Sequence, residues 1–196
     1  MKLYGTSTSP FVRRVRIVAA EVGEAVDRVD TATEEGQAEL RALTPIRKVP
    51  VASLDGRTLF DSRTIVDWLV TTRGWGAIQP PRDPWIESNL LNAIDAALDA
   101  VIQLFYLRRD GVAIDGTPYA ERQLARADAI FLWLGTQLAH DRCGFGPALG
   151  LAEISLVCAL DWMDFRQAYP TERAKTVQGV RNAWKKRASL VATRPA

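Results

Sequence analysis

Proline at position 50 constrains this chain more than any other residue, because of what stands on either side of it. The residue before a proline is held extended, and an X-Pro bond is the common setting for a cis peptide. Val49 is therefore expected to offer its backbone N–H and C=O to an extended, peptide-like partner, which would pair as an added strand. Immediately downstream, residues 51–54 and 58–60 flank Asp55-Gly56, the signature of a tight hairpin. A helical period then begins at Ile65, Val66, Trp68 and Leu69, so Asp61 and Ser62 fall at a helix N-terminus. Free amides and the helix dipole make such a terminus a site for a carboxylate.

Upstream, Lys2-Leu3-Tyr4-Gly5 reads as a short strand with Tyr4 in the core, and Ser9-Pro10 opens a helix that runs to about residue 23. A second strand over 25–29 and a helix over 34–43 follow, the latter stopping before Thr44-Pro45. The helix from Ser62 to about Thr72 closes the unit. This order predicts two right-handed crossover fragments of a small sheet with helices on its faces.

Gly74-Trp75-Gly76 and Pro80-Pro81-Arg82-Asp83-Pro84 mark a break, so the reading divides the chain into a unit over 1–73, a linker over 74–84 and a second unit over 85–196. Strand signals stop there. Leu90, Leu91, Ile94, Ala97, Leu98, Val101, Ile102 and Phe105 recur at helical spacing over 85–109, and a second long helix follows Pro118. After a loop at Gly144-Phe145-Gly146-Pro147, residues 151–165 are apolar almost all round, as in a helix at the centre of a bundle. A more polar helix is expected over 171–186, so the second unit reads as all helical.

Lys plus Arg number 25 and Asp plus Glu 23, a net charge of +2 that supplies no field for nucleic acid or an anionic membrane. The cluster Lys185-Lys186-Arg187 reads as a solvated helix end. No uninterrupted apolar run of membrane-spanning length and no signal-peptide pattern are apparent, and a cytoplasmic protein is expected. Cys143 and Cys158 form no CxxC pair, and His140-x-x-Cys143 offers two ligands where a tetrahedral metal needs four, so both cysteines read as packing or loop residues and no metal is expected.

The run Leu3-Tyr4-Gly5, then Ser9-Pro10-Phe11-Val12-Arg13-Arg14-Val15-Arg16-Ile17, with Lys48-Val49-Pro50 and Asp61-Ser62, resembles the glutathione transferase superfamily over residues 1–73, and more loosely over 83–182. Ser9 falls where omega-like members have Cys before Pro-Phe and where zeta-like members have Ser ahead of an Arg-Val-Arg-Ile run. The resemblance implies a thioredoxin-like N-terminal domain, an all-α helical C-terminal domain, and a homodimer. It implies glutathione as co-substrate, with Val49 pairing its cysteinyl part, Asp61 and Ser62 its γ-glutamyl end, and Lys48 its glycyl carboxylate. Local sequence reads Ser9 as a helix cap; the resemblance adds a role as donor to the glutathione sulfur, holding it as thiolate. Thr6, Ser7 and Thr8 crowd the same loop and are alternative donors.

The resemblance implies attack of that thiolate on an apolar electrophile, chemistry of the detoxification kind. Two alternatives stand beside it: glutathione-dependent isomerisation or ether or halide displacement, and a binding or regulatory member without catalysis. A second-substrate pocket between the domains would use Phe11, Phe105, Tyr106 and Arg108, although aromatic residues at helical spacing more often belong to a core. Two departures from the family pattern stand out. Thr44-Pro45-Ile46-Arg47 replaces Asn-Pro-x-Gly, and Gly150 with Glu153 replaces a Ser or Thr cap followed by Asp.

Overall fold

The structure is a computed structural model that describes residues 1–139 and 148–195. His140, Cys143 and the expected loop over 144–147 lie outside the described residues. The chain forms two compact units, Met1–Gln79 together with Lys186–Ala196, and Pro80–Lys185.

In the first unit the elements run β1 (Lys2–Tyr4), α1 (Pro10–Glu21), β2 (Asp27–Val29), α2 (Glu34–Leu43), β3 (Val51–Leu54), β4 (Arg57–Phe60) and α3 (Ser62–Arg73). The sheet order is β2-β1-β3-β4, with β1 parallel to β2 and antiparallel to β3, and β3 antiparallel to β4. Register places Tyr4 beside both Val29 and Val51, and Leu40 and Leu43 of α2 complete an apolar cluster with these three and Val49. Because successive strand residues point to opposite faces, Leu3 and Ala52 turn to the other side, where both are fully buried. The Asp55-Gly56 turn has positive φ at both residues (48° and 73°), the backbone a two-residue hairpin demands and the reason this dipeptide marks one.

Residues 186–195 return to this unit through α8 (Ala188–Ala192), which packs on α1. The attachment buries Leu190 and carries several polar bonds. Arg13 donates to the Leu190 carbonyl at 3.1 Å and to Thr193 Oγ1 at 3.4 Å. Arg187 grips Glu21 through two bonds of 2.9 and 2.6 Å, and Ser189 donates to the same carboxylate. The Arg187 bonds, then that of Ser189, hold the Glu21 carboxyl below the usual carboxylate range against the opposing cost of burial.

The second unit contains α4 (Pro84–Arg109), α5 (Pro118–Ala139), α6 (Leu151–Phe165), a 3-10 segment (Thr171–Val177) and α7 (Gln178–Trp184). α4 is long and apolar enough to cross a membrane by length and composition, although Asp95 and Asp99 interrupt its apolar run, and it packs along α5 and α6. Every residue from 151 to 160 is buried, as its all-round apolar pattern predicts. Gly150 supplies no side-chain cap, but Glu153 reaches back to accept from its N–H at 2.9 Å, so half of a capping box survives.

The helix expected over 171–186 is broken. Ala174 departs from helical geometry at φ −90°, ψ 33° inside the 3-10 segment, and α7 begins only at Gln178. Side chains account for the bend: Thr171 and Arg181 both bond Asp164, Arg181 also pairs with Asp161, and Thr176 bonds the Phe131 carbonyl.

Candidate functional site

Three backbone features of the first unit converge on the residues singled out in the sequence. At the start of α1, Ser9 has an extended backbone (φ −72°, ψ 126°), and its Oγ accepts from the Val12 N–H at 3.3 Å. Pro10 follows at the first helical position, where its missing N–H costs nothing. Ser9 thus caps the helix, as local sequence predicts, and accepting that bond leaves its hydroxyl hydrogen available to donate. Thr6 and Thr8 lie on the same half-buried loop with their hydroxyls 3.4 Å apart.

Gly5 brings β1 and α1 close enough to form this loop. A Cβ built on it would lie 2.2 Å from Cγ2 of Val12, so any side chain would push the helix start away from the sheet. Its N–H bonds the Val29 carbonyl and its own carbonyl accepts from Arg28, which locks the end of β1. Tyr4 is 4% exposed and its hydroxyl meets Glu39 at 3.1 Å, in keeping with the core role read for it.

The second feature is the loop into β3. The Val49–Pro50 peptide bond is cis. Val49 turns its side chain to the Tyr4–Leu40–Val51 cluster, while its N–H and C=O meet no partner among the described residues. Lys48 and Arg47 are both exposed. Arg47 occupies the left-handed region at φ 55°, at the position where the family pattern has glycine.

The third is the start of α3. Asp61 is exposed, has φ 71° and ψ 134°, and caps the helix by accepting from the Arg63 N–H at 2.7 Å. Ser62 is only 2% exposed, and its Oγ accepts from Nη1 of Arg14 at 3.2 Å. As the first residue of the helix, Ser62 has an N–H with no intrahelical acceptor.

The remaining candidates lie on α1 and α4. Phe11 is half-buried on α1, with the Arg14 guanidinium 5.6 Å from its ring centre. Phe105 is half-buried on α4, edge-on to Trp162 at 5.4 Å and with the Arg166 guanidinium 5.5 Å from its ring centre. Tyr106 is 46% exposed with Arg109 over its ring, and Arg108 is held by Asp115 at 2.7 Å. No group of three His, Cys, Asp or Glu side chains among the described residues could hold a metal ion. Cys158 is buried within α6.

Sequence reasoning missed Arg14. Its signal was available in the Arg13-Arg14 pair, which sits between Val12 and Val15 on a helix whose buried face takes in all four residues. A cation on a buried helical face must have a partner, and the partners here come from α8 and α3.

A small mixed sheet, a cis-proline loop beside an acidic-Ser helix start, and an all-helical second unit define the glutathione transferase class of fold. Profiles of known families agree: the glutathione S-transferase N-terminal domain matches residues 3–80 and the glutathione S-transferase C-terminal domain matches residues 117–191. The chain belongs to the glutathione S-transferase superfamily. It is 28% identical over 202 residues to the uncharacterized GST-like protein YibF of Escherichia coli K12, an alignment covering 100% of this chain and 98% of that protein. A glutathione S-transferase of Methylobacillus flagellatus, crystallised with glutathione bound, superposes with a TM-score of 0.82 at 28% identity over 100% and 99% of the two chains. A glutathione transferase family member from Pseudomonas fluorescens Pf-5, with bound S-(propanoic acid)-glutathione, gives 0.77 at 25% identity over 100% of each chain.

Proposed function

We propose that this protein is a glutathione transferase that binds the tripeptide along the first unit and activates its thiolate for attack on an apolar electrophile. The observation that carries the reading is Val49, whose backbone N–H and C=O have no partner among the described residues beside a cis-proline. An extended cysteinyl residue offers the complementary pair, and two such bonds fix both its depth and its direction. The chemistry of the other residues fits the ends of glutathione. Asp61 is an exposed carboxylate suited to the γ-glutamyl ammonium, and the Ser62 N–H at the positive end of α3 suits the α-carboxylate. Lys48, exposed next to Val49, suits the glycyl carboxylate.

In this reading Ser9 is the group that touches the sulfur. A free thiol has a pKa of about 8.5, and each unit by which the site lowers it is worth about 1.4 kcal/mol. The Ser9 hydroxyl donates to the thiolate while its lone pair keeps the Val12 bond, and the dipole of α1 adds to the stabilisation. The thiolate then forms a carbon–sulfur bond, and either a leaving group departs or a proton is taken up by the adduct. The protein's contribution is thiolate formation and the holding of two reactants together. Phe11, Phe105, Tyr106 and Arg108 belong to this proposal as lining for the electrophile. A homodimer and a cytoplasmic location complete it.

Calorimetry with reduced glutathione, paired with ultraviolet titration of the bound thiol, tests the reading. Expected are saturable binding by the wild type and a bound thiol that ionises well below its free value. A folded protein that does not bind at millimolar glutathione would overturn it. Binding with an unshifted thiol would favour a non-catalytic member, a reading to which the cation at Arg47 in place of glycine lends some support.

A further inference from the structure

Two adjacent arginines on α1 lead in different directions. Arg13 ends on α8, at the Leu190 carbonyl and Thr193, where it joins the unit's own segments. Arg14 ends at the first residue of α3, donating Nη1–H to Ser62 Oγ at 3.2 Å, with both residues 2% exposed. Burying a guanidinium is costly, and a neutral serine hydroxyl is a modest acceptor for it. The bond does, however, have a directional consequence. One lone pair of Ser62 Oγ is taken by Arg14, so the hydroxyl hydrogen must leave on another side of the oxygen, and the serine is fixed as a donor outward. The Phe11 ring, 5.6 Å from the guanidinium carbon, restricts the plane of the fork. Arg14 also sets a positive charge behind the positive end of the α3 dipole, and both attract an anion at the same spot.

We propose that Arg14 is a positioning residue for the carboxylate end of the ligand: through Ser62 it fixes the donor set at the start of α3 that receives the γ-glutamyl α-carboxylate. This rests on the glutathione reading above. It separates the two arginines by purpose, Arg13 for the fold and Arg14 for the ligand. It also explains why a cation-for-cation exchange at position 14 would not be neutral, since a lysine ammonium has no planar fork to aim at the serine.

The test compares two ligands on five proteins: wild type, Arg14→Met, Arg14→Lys, Ser62→Ala and the double variant Arg14→Met/Ser62→Ala. The ligands are reduced glutathione and the same tripeptide with 4-aminobutyryl in place of γ-glutamyl, which lacks the α-carboxylate and keeps the amine. Arg14→Met is expected to weaken glutathione by roughly ten- to hundredfold, the range for a lost charge-assisted hydrogen bond, and to leave the decarboxylated analogue at its wild-type affinity. Ser62→Ala should show the same selectivity, and the double variant should be no weaker than the worse single one. Arg14→Lys, which keeps the charge and fills the space, should fall between wild type and Arg14→Met for glutathione; it carries the test if Arg14→Met does not fold. Equal losses for both ligands, or none for either, would overturn the proposal, because a purely structural arginine does not distinguish them. A folded wild type that binds neither ligand would instead overturn the glutathione reading itself, and this proposal with it.

Discussion

The starts of α1 and α3 are both capped by a side chain, but they reach that state by different routes. Ser9 sits in ordinary extended backbone, so its cap is assembled from local preferences alone. Asp61 stands at φ 71°, ψ 134°, a conformation that costs a residue with a Cβ about 1–3 kcal/mol. Such a conformation persists only where the surroundings impose it. Here they do so on both sides, through the β3–β4 pairing that fixes Phe60 opposite Val51 and through the buried Arg14–Ser62 bond. A helix start held by its neighbours keeps its geometry whether or not a ligand is present, and that is the property a recognition site needs.

The comparison breaks most visibly at Asp61. Asp61→Ala and Asp61→Gly should each lose roughly a hundredfold in glutathione affinity, the value of a charged bond to the ligand ammonium, measured by calorimetry. Thermal melts should separate the two, because glycine removes the strain that alanine keeps; we expect Asp61→Gly to be the more stable by about 1–2 kcal/mol. Equal stabilities would mean that the backbone at Asp61 stores nothing.

The α1 side responds to acid. The Arg187 bonds hold the Glu21 carboxyl low, so its contribution is complete above the unfolded value of about 4.3 and is lost as pH falls through the lower folded value. Denaturant titrations should show Glu21→Gln weaker than wild type by about 2 kcal/mol at pH 7, with the gap closing toward pH 2. A gap independent of pH would assign the loss to packing. Glu24, Asp30 and Glu39 are also held low by their partners, so the variant's own acid sensitivity is reduced and not abolished.

A smaller effect is expected at the α1 cap itself. Ser9→Ala should cost about 1 kcal/mol in a melt and raise the pKa of bound glutathione, while leaving its affinity at low pH almost unchanged. An unchanged thiol pKa would reduce Ser9 to a cap and turn attention to Thr6, Ser7 and Thr8. Smallest of all, Arg47→Gly should raise stability by less than about 1 kcal/mol, since relief of the left-handed backbone is partly offset by the entropy of glycine in the unfolded chain. Arg47→Ala should give no gain, and if it does, strain at φ 55° is not the reason for the difference.

Sequence reading did well where structure is local. The bounds of α2, β3 and α6 follow from capping residues, alternation and an all-round apolar run. The Asp55-Gly56 hairpin and the reach of Glu153 to its own cap are likewise short-range. What escaped it depends on residues far apart in the chain. The break at Ala174 is drawn by Asp161, Asp164 and Phe131, the return of α8 depends on Arg13 and Glu21, and the inward turn of Ser62 depends on Arg14. None of these pairings leaves a periodic trace. At the candidate site, residue types and their order were legible, but which oxygen faces which donor was not.

The return of α8 to α1 also has a consequence in time. A ribosome makes Arg13 and Glu21 early, then the whole of Pro80–Lys185, and only afterwards Arg187, Ser189 and Leu190. Throughout that interval the α1 surface that α8 will cover stays open, with a buried-to-be arginine and a carboxylate waiting in water. The unit that appears first in the chain is therefore the last to be finished. A fragment ending at residue 79 would fold, if at all, around an unfilled face.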